Sequence, residues 1–225
     1  MATDPLGDFA RRFAKQTQDL LNKTICTGVI IKPMVSEPGT VIVAPNLHKG
    51  RIESEPIPVR QGAGRPYCWL DLTYTFCLDD SNEWPMVKSS FFAIRAADAD
   101  RTPLCHFDYE RDKEGGYPEA HVQVYGTSPA LEAWRGDVKD KPLNKFHFPA
   151  GGRRYRPILE DVIDFLAVEG LIPTFPDGGA EIIAKGREQF NVIQLRAAIR
   201  RDLDIARDAV KEFDRKRGLL TRIRK

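Results

Sequence analysis

No run in this chain approaches the ~18 consecutive apolar residues that a membrane-spanning helix requires, and the N-terminal segment is amphipathic, with an acidic Asp4, rather than continuously apolar. No membrane role is expected, and the cytoplasm is the expected compartment. Cysteine is sparse as well. Cys26, Cys68, Cys77 and Cys105 are widely separated, form no C-x-x-C pair and sit mostly inside apolar, strand-like patterns. That spacing argues against a zinc ribbon or a disulfide scaffold and fits buried free thiols in a reducing compartment. Net charge is nearly missing: 34 Lys and Arg against 32 Asp and Glu leave +2, so no global field draws the molecule onto nucleic acid or an anionic membrane. Any charged partner must be recognised locally. What remains is a globular composition, 42% hydrophobic and 29% charged over 225 residues, enough to bury one main core.

Hydrophobic periodicity gives the order helix, sheet, helix, long helix. Leu6, Phe9, Ala10, Phe13, Ala14, Leu20 and Leu21 recur at helical spacings with charges between them, so an amphipathic helix is expected over residues 5–22. Strands are expected over residues 25–32, 39–44, 68–78, 85–95, 104–111, 118–126 and 144–149, each rich in Val, Ile, Thr or aromatic residues and bounded by turn formers. Most connections are too short for the crossover that parallel neighbours need, which favours an antiparallel sheet. Residues 45–66 carry Pro45, Pro56, Pro58 and Pro66 with Gly50, Gly62 and Gly64, which block regular structure and mark an irregular loop, an edge segment or a mobile flap.

Pro157, Glu160 and Asp161 announce a second helix that ends near Gly170. Residues 171–179 read as a linker before a long helix over 186–217, where Val192, Leu195, Ile199, Leu203, Ala206, Val210 and Phe213 form an apolar seam. The seam could face the body of the protein, a partner protein or a second copy. Residues 211–225 add a basic tail of seven Lys or Arg against two Asp or Glu. The expected class is α+β: a mostly antiparallel sheet with an N-terminal amphipathic helix and C-terminal helices. An α+β domain over residues 1–170 would precede a linker and helical extension over 171–225.

Chemistry concentrates on three strands. Successive strand residues point to opposite faces, so His106, Asp108 and Glu110 share one face of the first, and His121, Gln123 and Tyr125 one face of the second, with His147 on the third. This row is either an active surface or the wet side of an antiparallel sheet. A turn centred near Glu114 and Gly115 would set Asp108 opposite His121, and a slip of two residues would bring Glu110 there instead. Either register puts a carboxylate beside an imidazole, an arrangement suited to general acid–base work. His106, Asp108, His121 and His147 include the types for a two-His, one-carboxylate metal set, but their spacing matches no recognised metal signature, and neither metal nor cofactor is expected. Gly151 and Gly152 lead into Arg153, Arg154, Tyr155 and Arg156 just before a helix N-terminus. That composition suits phosphate contacts and base stacking, or simply neutralises the carboxylates nearby.

The strand Leu104–Arg111, the glycine turn, and the return segment Pro118-Glu119-Ala120-His121-Val122-Gln123 resemble the Asp-containing strand and His-bearing return strand of the TumE-type toxins of toxin–antitoxin pairs. The resemblance covers residues 68–126; at Gln123 the family carries a second histidine. It implies a small α+β protein acting on cellular RNA or on translation and paired with a neutralising protein. Joined to the residue chemistry, it gives an expected function of binding a phosphate-containing ligand, RNA above all, with metal-independent ribonuclease chemistry. His121 would then remove the 2'-hydroxyl proton, His106 would protonate the leaving oxygen, and Arg153 or Arg154 would steady the phosphorane. The alternative is a non-enzymatic interaction module built on the long helix.

Overall fold

The computed structural model describes residues 4–47, 54–96, 103–129 and 143–223. Residues 48–53 of the expected flap and the last two residues of the basic tail lie outside them. The chain divides into two units, residues 1–184 and residues 185–225.

The first unit opens with helix α1, Pro5–Thr24, where Asp4 caps the start by accepting a hydrogen bond from the Gly7 N–H at 2.9 Å and Pro5 occupies the first turn. Its buried face carries Leu6, Ala10, Ala14, Leu20 and Leu21. Phe9 and Phe13 stack edge-on against Phe76, and Phe13 against Tyr74 at 4.7 Å between ring centroids. Each large side chain buried this way contributes about 1.5–3 kcal/mol, so Leu21→Ala, at a position with no exposure, would cost about 2–5 kcal/mol.

Eight strands follow: β1 Ile31–Glu37, β2 Thr40–Pro45, β3 Ile57–Val59, β4 Cys68–Leu78, β5 Pro85–Arg95, β6 Cys105–Glu110, β7 Ala120–Val124 and β8 Phe148–Pro149. They form one antiparallel sheet ordered β1-β2-β4-β5-β6-β7-β8, with β3 pairing β4 off this path. The α+β class read from sequence holds. Its details shift in three places. Residues 25–30 are not strand, because Gly28 turns the chain with φ +76° and pairing begins at Ile31. Residues 57–59 do pair, against Cys68–Leu70, since an edge position tolerates Pro58. The expected strand over 144–149 is a single 3-10 turn, Leu143–Lys145, followed by two paired residues, Phe148 and Pro149.

The helix-bearing face of the sheet holds Leu70, Leu72, Tyr74, Phe92, Ile94 and Phe107. Helix α2, Leu159–Val168, closes it with Leu159, Val162, Ile163 and Leu166 buried and Phe165 against Phe107. The Asp161 carboxylate accepts from the Ile158 N–H at 3.0 Å and so fixes the helix start. Gly170, φ +69°, ends it. Ile172, Phe175, Ile182 and Ile183 also join this core, which is why the first unit runs past residue 170 into the first turns of α3, Gly179–Arg201.

The second unit is helical: the rest of α3 and α4, Leu203–Ile223. The expected single helix is interrupted only at Asp202. Among the described residues no helix is long and apolar enough to cross a membrane.

Candidate functional site

The tight glycine turn decides the register of the β6–β7 hairpin. Gly115 and Gly116, φ +80° and +75°, and Asp112, φ +56°, take the left-handed backbone that lets the chain reverse. Asp108 then lies directly across from His121, and His106 across from Gln123. Because Phe107 and Tyr109 face the helices, the alternation of β6 sends His106 and Asp108 to the other face. Asp71 and Arg95, paired through a 2.5 Å hydrogen bond, share that face further along β4 and β5.

His121 has a polar neighbour near each ring nitrogen. Its Nδ1 is 3.4 Å from the Pro118 carbonyl oxygen, and its Nε2 is 3.6 Å from Oδ2 of Asp108. The ring is 1% exposed, covered by His147 with centroids 4.5 Å apart, and Tyr117 lies on His147 at 4.3 Å. On the inner side His106 stands 6.3 Å from His121, flanked by Phe91 at 5.3 Å and Tyr125 at 5.7 Å. Burial holds the His106 imidazole below its ordinary pKa, against the opposing pull of its Gln123 hydrogen bond and the Asp108 charge. The arrangement is a file of rings running inward from exposed Tyr117 through half-buried His147 to His121 and His106, with Asp108 beside its middle.

The other expected site residues fall elsewhere. Glu110 is exposed and paired with Lys113. The side chain of Arg153 reaches Glu119 and Asp112, clamping the two ends of the hairpin turn and holding the Glu119 carboxyl below its usual range. Arg156 is 8% exposed, with its guanidinium 4.4 Å from the centroid of Tyr109, and donates to the Arg153 carbonyl oxygen at 2.6 Å. Since Tyr109 faces the helices, Arg156 and His121 lie on opposite faces of the sheet. Arg154 is half-buried and Tyr155 is 74% exposed. Arg156 and the His row therefore do not share a cavity, while Arg153, one of the two arginines expected to meet the phosphate, is engaged by Glu119 and Asp112.

Two residues matter more here than the sequence reading made them. His147 was read as a third-strand residue and a metal option, yet the two-residue β8 brings it onto His121. Tyr117 directly follows the two glycines of the turn. The signal lay in their positions, one leaving the glycine turn and one immediately ahead of the strand whose Pro149 pairs with His121. Among the described residues no group of three or more His, Cys, Asp or Glu could hold a metal ion. Compared with family models, curated proteins and solved structures, the chain matches none.

Proposed function

We propose that this face is an acid–base site that cuts RNA without a metal ion. The observation that carries the reading is the contact chain Asp108–His121–His147: a carboxylate stands beside one imidazole, and that imidazole packs against a second one nearer the surface. Transesterification at phosphorus needs a base that takes the 2'-hydroxyl proton as the 2'-oxygen bonds to phosphorus, and an acid that returns a proton to the 5'-oxygen as its bond to phosphorus breaks. His147 is the ring that reaches substrate and does both, as neutral imidazole in the first half of the step and as imidazolium in the second; His121, packed against it beside Asp108, positions it. Lys145, exposed two residues before His147, supplies positive charge for the phosphorane. Tyr117, 45% exposed above His147, offers a face on which an unpaired base stacks, which favours single-stranded RNA.

In this reading the chain acts as the toxin of a toxin–antitoxin pair, with a neutralising protein covering the Tyr117 side of the face. The test is incubation of the full chain with single-stranded RNA in excess EDTA. Fragments ending in 2',3'-cyclic phosphate support the proposal; intact RNA, or cleavage only after Mg²⁺ is restored, overturns it.

A further inference from the structure

The helical unit carries a second pattern, independent of the site. Val192, Leu195 and Ile199 on α3 and Ala206, Val210 and Phe213 on α4 fall on one stripe at helical spacing. The backbone ladder carries across the Asp202 interruption, with Asp202 N–H donating to the Ala198 carbonyl at 3.1 Å and Ala206 N–H to the Asp202 carbonyl at 3.0 Å, so the stripe is continuous. Its large members are exposed, from 41% at Val192 to 60% at Val210.

Apart from Leu203, whose mirror position is Asp202, the stripe is symmetric about the junction of those two residues. Ile199 and Ala206, Leu195 and Val210, and Val192 and Phe213 lie at equal distances on either side, and one turn further out the same symmetry relates Glu188 to Arg217. Over the twelve residues on either side of that point net charge changes sign: residues 191–202 hold three Arg against one Asp, whereas residues 203–214 hold four Asp or Glu against two Lys or Arg.

We propose that this helical unit pairs antiparallel with the same unit of a second copy, on a two-fold axis crossing at the Asp202–Leu203 junction. In that register Ile199 meets the small Ala206, Leu195 meets Val210 and Val192 meets Phe213 of the other chain, so the stripe covers itself. Residues 191–202 of each helix, net basic, lie along residues 203–214 of the other, net acidic, and Glu188 meets Arg217 twice per dimer. A parallel pair would stack Glu188 on Glu188 and Arg217 on Arg217 within the seam, and like halves along it. A seam this short gives a reversible dimer.

Sedimentation equilibrium of the full chain at low salt tests this. The mass is expected to rise with concentration from 25.4 kDa toward twice that value. Glu188→Arg or Arg217→Glu alone each replaces two attractions with two repulsions and should weaken association about tenfold or more; the double exchange should restore it, with far-UV circular dichroism unchanged throughout. A mass of 25.4 kDa at every concentration, a dimer indifferent to the single reversals, or a double exchange that fails to rescue would each overturn the proposal.

Discussion

His121 sits directly across the hairpin from Asp108, its Nε2 3.6 Å from Oδ2, while its opposite nitrogen faces the Pro118 carbonyl. A carboxylate and a carbonyl thus flank the two nitrogens of the ring, neighbours of the kind that favour one orientation of an acid–base group. Asp108→Asn keeps the shape and removes the charge. It should lower RNA cleavage about 10- to 100-fold with little change in thermal melting, since Asp108 is partly exposed. A variant that melts far earlier but cleaves normally once folded would place Asp108 in the scaffold only.

The buried His106 makes stability depend on pH. Its folded pKa is depressed by burial, so between that value and the unfolded value near ~6.5 the unfolded chain binds more protons than the folded one. Its contribution is therefore present above the unfolded pKa and is lost as pH falls through the folded pKa. Denaturant titrations at pH 7.5 and at pH 5 should show wild type losing more stability on acidification than His106→Gln. An equal loss in both would assign the acid sensitivity to other groups.

Arg153 is the clamp of the hairpin, bound to Glu119 and Asp112. With Glu119 one-quarter exposed and Asp112 largely exposed, solvent screening limits the pair, and Arg153→Ala should cost about 1 kcal/mol. The loss should appear in urea midpoints and in faster amide exchange of residues 110–120. Unchanged stability with weakened RNA binding would instead return Arg153 to the phosphate role expected from sequence.

The thiols should be silent in the native protein. Burial pushes Cys26 up to about 12 and Cys68 up to about 11, leaving almost no thiolate at pH 8. Iodoacetamide followed by peptide mass mapping should find both unlabelled until denaturant is added. Rapid native labelling of either would contradict their burial.

Much of this molecule was legible in its sequence. Strands 68–78 and 85–95 match β4 and β5 residue for residue because their apolar and β-branched content is dense and their flanks are turn formers. The glycine turn correctly offered the Asp108–His121 register because the φ > 0 it needs is a local property. What escaped was set by contacts distant in sequence. Residues 57–59 became a strand only because Cys68–Leu70 presented a free edge, and His147 reached His121 through a two-residue pairing too short to leave a pattern. Arg156 looked like an exposed phosphate ligand beside Arg153 and Arg154, yet Tyr109, nearly fifty positions earlier, takes it into the interior. The long helix was expected over 186–217 but begins at Gly179, because Ile182 and Ile183 dock in the core while lying ahead of the seam.

The most direct measurement of the central claim uses one RNA oligonucleotide in two forms, unmodified and with a single 2'-deoxy sugar at the cut site, incubated in EDTA with wild type and with His147→Ala. Wild type should cut the unmodified strand, leave the deoxy position intact, and lose at least about 100-fold in rate in His147→Ala. Equal cutting at the deoxy sugar, or full activity without His147, would show that the ring file on the β6–β7 face does not perform the reaction.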